Sequence, residues 1–148
     1  MTFFGGMDVE WNGELILAYM LIVWANDVFA YLFGITLGRH KICPSISPKK
    51  SWEGFVGGIV MACVVSVLNG MFWLKGMSIG FIAVLGIVVA LSGVAGDLVE
   101  SQFKRSVGVK DSGAIMPGHG GVLDRFDALF LSAPMAVACA ILYNLFFM

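Results

Sequence analysis

The sequence predicts an all-α membrane protein, in which about four transmembrane helices form a polytopic bundle and a single domain over residues 1–148. Two observations are compositional: 59% of the residues are hydrophobic and only 13% are charged, unlike a soluble domain, and the mean hydropathy is +0.90. The third is that four apolar runs each approach the roughly 20 helical residues that cross a bilayer core. Helices are expected because backbone groups in lipid must find partners within their own segment.

The four predicted spans are Leu15–Leu37, Gly54–Leu74, Ser78–Gly96 and Ala128–Met148. The connections between them differ in length and polarity. Gly38–Glu53 and Asp97–Asp127 are long and polar, whereas Lys75–Met77 is little more than a turn. With four spans, the two long loops must lie on the same side of the membrane.

Basic residues are distributed very unevenly between the two sides. The two long loops hold eight of the nine Lys and Arg residues, and only Lys75 lies opposite. By the positive-inside rule the long loops face the cytoplasm. We expect an integral protein of a bacterial inner or plasma membrane, with any functional groups of these loops on the cytoplasmic side. The net charge of −1 gives no overall basic field, so no nucleic-acid partner is expected.

The second long loop begins with a polar stripe. If the third helix continues past Gly96, then Asp97, Glu100, Ser101 and Lys104 lie on one helical face at the membrane surface. The alternative is a solvated helix end with an i,i+4 Glu100–Lys104 pair, which is worth only a few tenths of a kcal/mol. Topology gives no reason for carboxylates in this loop, because acidic residues contribute little to orientation.

Two further carboxylates precede the fourth span. Asp124 and Asp127 are three residues apart and can project from one helical face. Two such groups can hold Mg²⁺, which prefers carboxylate oxygens together with substrate phosphates. Capping of the fourth helix is the alternative, and it accounts for one aspartate more readily than for two.

Between these acidic groups lies the segment Pro117-Gly118-His119-Gly120-Gly121. Such a loop can turn successive backbone N–H groups toward a phosphate, and its glycines allow close approach. His119 could donate to a phosphate, act as an acid or base, or simply hydrogen-bond to the backbone. Gly120 and Gly121 are therefore candidate phosphate-binding positions.

The first long loop ends in Ser47-Pro48-Lys49-Lys50-Ser51-Trp52-Glu53-Gly54. The adjacent lysines and nearby hydroxyls would suit a phosphate clamp or a lipid headgroup. An interfacial anchor, with Trp52 in the aromatic belt, is compatible with the same pattern. Ser47, Lys49 and Lys50 are therefore predicted to bind substrate.

Asn26 and Asp27 lie midway along the first span, where a central Asp costs about 2.5–3.5 kcal/mol, so the pair should face the bundle interior. For Asn26, function and a helix-packing hydrogen bond stay open as alternatives. Packing is favoured by Ala30, Gly34 and Gly38, whose four-residue spacing lets another helix approach closely. For Asp27, substrate binding is the favoured interpretation.

The polar residues of the second long loop recur at fixed spacings. Ser101-Gln-Phe-Lys104-Arg105 is followed after four residues by Lys110-Asp111, after seven more by His119-Gly120-Gly121, and after two more by Asp124-Arg125-Phe-Asp127. This pattern resembles the signature of the phosphatidate cytidylyltransferases, or CDP-diacylglycerol synthases, with Met116 where Leu, Ile or Phe is expected. Gly96–Glu100, Asn26-Asp27 and Ser47–Gly54 are similar to that family as well.

The resemblance implies a magnesium-dependent nucleotidyltransferase of phospholipid biosynthesis. The phosphate of phosphatidic acid attacks the α-phosphorus of CTP, pyrophosphate leaves, and CDP-diacylglycerol forms. CTP, phosphatidic acid and membrane lipids are then the partners. The residues expected to serve catalysis are Asp97, Lys104, Arg105, Lys110, Asp111, His119, Asp124, Arg125 and Asp127, with Ser101 contacting substrate.

The magnesium site is predicted to comprise Asp111, Asp124 and Asp127, assisted by Asp97, and a second cation is left open. The four basic residues of this loop cannot both neutralise two anionic substrates and balance five acids. A bound divalent ion resolves that imbalance, because it turns the carboxylates into ligands.

Two other functions remain as alternatives at this point. A CTP-dependent kinase of polyprenol or phytol would share the membrane setting and the nucleotide. A transporter subunit would use Asp27 as an ion site, but the polar residues concentrate in a surface loop rather than along several spans. The sequence also begins where the family's C-terminal half begins. We therefore expect further N-terminal spans, or a homo-oligomer, to complete the site.

Overall fold

The computed structural model describes residues 13–43, 47–72, 77–108 and 123–147. The elements in chain order are α1 (Gly13–Thr36), β1 (Lys41–Cys43), β2 (Ser47–Ser51), α2 (Trp52–Phe72), α3 (Ile79–Ser106) and α4 (Leu123–Phe147). The predicted all-α membrane class is confirmed. In the described ranges, α1, α2 and α3 are long and apolar enough to cross a membrane, and α4 contains a shorter apolar stretch, Asp127–Tyr143.

The helix boundaries differ from the predicted spans mainly in α3. This helix has 28 residues and continues from the predicted end at Gly96 to Ser106. Residues 97–106 are therefore helical, and the condition for a polar stripe at the end of the third span is met. The structure also contains an antiparallel hairpin of β1 and β2, which was not predicted from the sequence. The hairpin pairs Lys41 with Ser51 and Cys43 with Ser47.

The helices pack in chain order, α1 on α2, α2 on α3 and α3 on α4. Close approach of α1 and α2 depends on Gly54, where an added Cβ would lie 2.5 Å from the Ala30 carbonyl oxygen and 3.0 Å from Gly34 Cα. Ala30 and Gly34 thus serve helix packing, as their spacing predicted. Side chains such as Ile22, Ala62 and Val89 fill the centre of the bundle.

Most large apolar side chains point outward. Trp24, for example, is 67% exposed midway along α1, and similar exposure recurs on all four helices. A soluble domain would bury such surface, whereas lipid tails solvate it. The outer surface of the bundle is therefore suited to a bilayer.

Neutral hydrogen bonds join the helices near the end opposite the hairpin, which we call the far end. Ser66 Oγ donates to the Ile82 carbonyl at 2.6 Å, and the Tyr19 and Ser132 hydroxyls lie 2.7 Å apart. Asn69 Nδ2 donates to the Ala18 carbonyl at 3.4 Å. These bonds satisfy buried polar groups without any charge.

The hairpin is anchored to the start of α2, where unpaired backbone N–H groups need acceptors. Ser51 Oγ accepts from the Gly54 N–H at 3.2 Å, and the Trp52 N–H donates to the His40 carbonyl at 2.9 Å. His40 Nδ1 lies 2.7 Å from Glu53 Oε1. These contacts hold β2 over the hairpin end of the bundle.

Candidate active site at the hairpin end

A cavity of about 670 Å³ lies between α1, the hairpin, the start of α2 and α3. Its volume falls in the range of pockets that bind small ligands. Its polar lining residues are Asn26, Asp27, Lys41, Lys49, Lys50, Ser51 and Asp97. Asp27, Lys49, Lys50 and Asp97 were predicted to be functional, and a function was left open for Asn26. In the sequence these five residues lie on three separate segments. The structure brings those segments together.

The hairpin contacts α3 through an ion pair between Lys50 and Asp97. The Lys50 side chain is 23% exposed and that of Asp97 is 33% exposed, so both groups are largely withdrawn from solvent. Asp97 Oδ1 also accepts a hydrogen bond from Ser101 Oγ at 3.2 Å. Both oxygens of this carboxylate are therefore engaged.

Asp27 enters the same cavity from α1. Its carboxylate accepts a hydrogen bond from the Asn26 side chain and lies within electrostatic reach of Asp97 and Lys50. Asn26 itself is only 3% exposed and lies against Gly58 of α2. Asn26 therefore combines packing against α2 with contact to Asp27, and the choice between function and a helix-packing hydrogen bond stays open for this residue.

A second carboxylate approaches Asp97 from the first turn of α4. Asp127 and Asp97 interact both electrostatically and by side-chain contact, and Asp127 Oδ1 accepts from the Ala128 N–H at 2.6 Å. Gly96 makes this approach sterically feasible, because a Cβ there would lie 2.8 Å from the Asp127 carbonyl. Two like charges are held side by side where α3 meets α4.

These two carboxylates provide hard oxygen donors of the kind Mg²⁺ takes from proteins, usually one or two carboxylates with substrate phosphates. Among the residues that the structure describes, no group of three His, Cys, Asp or Glu side chains is arranged to hold a metal ion. Two predicted ligands fall beyond this description: Asp111 lies outside the described residues, and Asp124 is described only by its backbone in the first turn of α4. The residues described fit part of a magnesium site.

Farther along α3, Glu100 and Lys104 form the predicted i,i+4 pair at 3.0 Å. The side chains are only 10% and 14% exposed, so the pair is not the solvated helix end considered above. Arg105, on the next position, is exposed at the end of α3. A role for Lys104 and Arg105 in binding phosphates stays a prediction.

On the hairpin, Lys49 is exposed and lines the cavity, as does Lys41 on the paired strand. In the sequence, Lys41 was only one of the basic residues of the first long loop, and its position at the cavity was not predicted. Pairing of Lys41 with Ser51 across the hairpin brings it there, and the three-residue strand gave little signal. Ser47 begins β2 and is not among the cavity-lining residues.

Several predicted residues cannot be placed. Lys110, His119, Gly120 and Gly121 lie outside the described residues, and the structure gives only the backbone of Arg125 in α4. Their roles stay predictions.

Comparison with known proteins points to a single family. The model of a family described as the cytidylyltransferase family matches residues 6–143. Proteins named phosphatidate cytidylyltransferase from Staphylococcus epidermidis, Staphylococcus aureus (strain COL) and Staphylococcus saprophyticus are 50%, 48% and 46% identical over 120 residues. Each match covers 81% of this chain and 46% of the relative, so the chain spans about half the length of the curated relatives it matches.

Proposed function

The chain belongs to the cytidylyltransferase family, and on this premise we propose that it carries the catalytic region of an enzyme that makes CDP-diacylglycerol from CTP and phosphatidic acid. The observation that supports this most directly is the cavity at the hairpin end, where lysines and carboxylates from three segments meet next to lipid-facing surface. The names of the relatives point to the same reaction.

In the proposed reaction, a phosphate oxygen of phosphatidic acid attacks the α-phosphorus of CTP. The bond from that phosphorus to the bridging oxygen breaks, and pyrophosphate leaves with the electron pair. Because the substrate supplies the nucleophile, the protein needs no serine or cysteine nucleophile. Its tasks are to position two anions and to neutralise their charge.

Lys49 and Lys41 are suited to the phosphates. Both line the cavity from the hairpin and are exposed. Each lysine ammonium carries a full positive charge and three N–H donors, so it can bind phosphate oxygens. We therefore assign phosphate binding to the hairpin side of the cavity.

The opposite wall is suited to the lipid. Tyr31 and Ile35 line the cavity from α1 and are 65% and 63% exposed, so they also form part of the outer surface of the bundle. A diacyl lipid can then reach the cavity sideways while its acyl chains stay in the bilayer.

Asp97 and Asp127 would hold Mg²⁺, together with Asp111 and Asp124. The bound ion would neutralise phosphate charge during nucleotidyl transfer. Asp97 and Asp127 contribute by facing each other from α3 and α4, so that both carboxylates reach one point next to the cavity. A second cation is a further part of the proposal.

We also propose that the hairpin end faces the cytoplasm, where CTP is found. The support is the concentration of Lys and Arg in the two long connections. A cysteine placed at Ser106, which is exposed at the end of α3, tests this in a variant without Cys43, Cys63 and Cys139. We expect labelling only after the membrane is opened. Labelling from the outside of intact cells would overturn the orientation.

The central experiment is an assay of the purified chain in bilayers containing phosphatidic acid, with radiolabelled CTP and Mg²⁺. It is run with and without the part of a relative that this chain does not match. We expect a CMP-containing lipid and pyrophosphate in equal amounts. A phosphorylated alcohol without CMP-lipid would instead identify a lipid kinase, and ion flux without CTP turnover would identify a transporter subunit.

A further inference from the structure

Lys49 and Lys50 are adjacent on β2 but have different surroundings. Both line the cavity, yet Lys49 is exposed, whereas the Nζ atom of Lys50 is buried and paired with Asp97. A strand directs successive side chains to opposite faces, which separates the two ammonium groups. The two lysines therefore cannot be treated as one phosphate clamp.

Asp97 lies next to several groups that can interact with its carboxylate. It already contacts Lys50 and Ser101, and it lies beside Asp127 in the position assigned to a magnesium ligand. A divalent cation at this carboxylate would repel the Lys50 ammonium at contact distance. The cation and Lys50 would therefore compete for Asp97.

The Lys50–Asp97 pair also connects the hairpin to α3. The hairpin packs mainly on α1 and α2, and Lys50 is its ionic connection to α3 in the described part of the chain. Breaking the pair would release β2 from α3 while leaving the Ser51 and Trp52 anchors on α2 intact.

We propose that Lys50 is a positioning residue that exchanges partners during the reaction cycle. Before substrate arrives, its ion pair with Asp97 holds that carboxylate in place beside the cavity. When Mg²⁺ binds, Asp97 passes to the cation, and the freed Lys50 ammonium passes to a phosphate of the bound nucleotide or lipid. This inference rests on the proposed function, and it gives Lys50 two successive partners instead of one.

The exchange predicts an effect on cation affinity that a simple phosphate-binding lysine would not produce. Lys50→Gln removes the competing positive charge beside Asp97, so Mg²⁺ alone should bind about tenfold more tightly. Lys49→Gln is the matched control, because it removes the same charge one residue away. Its Mg²⁺ midpoint should change by less than about twofold, since exposed charges are well screened.

The measurement is the Mg²⁺ concentration at half-maximal thermal stabilisation of the chain in bilayer nanodiscs, without nucleotide. With CTP present at saturating Mg²⁺, the sign should reverse, and Lys50→Gln should bind CTP more weakly than the unchanged chain. A Mg²⁺ midpoint for Lys50→Gln that is unchanged or higher would overturn the exchange.

A second measurement needs no variant and so does not depend on whether Lys50→Gln folds. Brief acetylation with an amine-reactive ester, read by mass spectrometry, reports the accessibility of both lysines, with Lys49 as the internal standard. Mg²⁺ alone should raise labelling of Lys50 relative to Lys49 by about threefold or more, because a free amine reacts and a paired buried one does not. Addition of CTP should lower it again. A ratio that Mg²⁺ does not change would overturn the proposal.

These outcomes are separable from the proposed function. The bilayer assay of the unchanged chain decides whether CDP-lipid is made. Cation affinity and lysine labelling decide whether Lys50 and Asp97 separate when Mg²⁺ binds. An active enzyme with a permanent Lys50–Asp97 pair would retain the function and refute the exchange.

Discussion

The two ends of the bundle solve the problem of buried polar groups in different ways. At the far end, Ser66, Asn69 and Tyr19 make hydrogen bonds between helices, and both partners in each bond are uncharged. At the hairpin end, Asp27, Asp97 and Lys50 carry charge beside a cavity, and like charges lie next to each other. A stable bundle requires only the first arrangement. The second is costly unless something else binds there, which is why we place the proposed chemistry at the hairpin end.

The largest effect on activity is expected at Asp127, and it tests whether the proposed chemistry depends on the charges at the hairpin end. Asp127→Asn preserves size and removes a charge beside Asp97, so the rate of CDP-lipid formation should fall by about 10³-fold. Thermal unfolding should change little, because loss of a repulsion between like charges offsets any lost contact. Initial rates with radiolabelled CTP and a melting curve measure the two quantities.

The control for that experiment is Glu53→Gln, another carboxylate at the hairpin end. Glu53 bonds to His40 and does not line the cavity. Loss of an exposed pair costs little stability, and Glu53 is not part of the cavity, so most of the rate should remain. Near-normal turnover of Asp127→Asn at limiting Mg²⁺ would contradict its assignment as a ligand and leave it as a cap of α4.

An intermediate effect is expected where α1 and α2 meet between the two ends. Gly58→Ala would place a Cβ 2.8 Å from Asn26 Oδ1 and 3.0 Å from Ala30 Cβ. We expect the free energy of unfolding to fall by about 1–3 kcal/mol through overpacking. Gly80→Ala is the control, because nothing lies within 4 Å of its added Cβ. That variant should be as stable as the original or more so, and equal destabilisation of both would show that α1 and α2 are not tightly packed at Gly58.

The smallest effect is expected at the far end. Ser66→Ala removes the bond to the Ile82 carbonyl, and hydrogen bonds between transmembrane helices average about 0.6 kcal/mol. Unfolding in mixed micelles should detect this loss, while CDP-lipid formation stays near its original rate. Ser106→Ala, whose hydroxyl bonds only within its own exposed turn, corrects for the change in helix propensity. A tenfold loss of rate in Ser66→Ala would mean that the far end takes part in the chemistry after all.

The sequence was sufficient for the helices because bilayer thickness fixes the length of an apolar run. α1 and α2 follow those runs closely, and α3 contains its run and continues past it to Ser106. It also supported continuation of α3, since the polar stripe at Asp97 and Ser101 has helical spacing. The hairpin was missed for a physical reason. β1 has three residues, too few for an alternating pattern, and its pairing depends on contacts made only in the folded chain.

Several residues of the candidate site could be predicted individually from the sequence, but their arrangement could not. Asp27 and Asp97 stood out because charge inside or beside a membrane span is costly. That they share one cavity depends on how α1 packs against α3, which no local pattern encodes. The distinction between Lys49 and Lys50 likewise needed the structure, because it comes from the direction of each side chain on β2.

The length of α3 has a consequence for how the proposed enzyme would meet its substrates. Its 28 residues span about 42 Å at 1.5 Å per residue, against about 30 Å for a hydrocarbon core. About two helical turns can therefore extend into the headgroup layer, and they carry Ser101 and Lys104, with Asp97 just before them. At that depth a water-borne nucleotide and a membrane-bound lipid can react without either leaving its own phase. Turnover should then follow the two-dimensional density of phosphatidic acid in the leaflet, so that dilution with inert lipid slows the reaction and dilution with buffer does not.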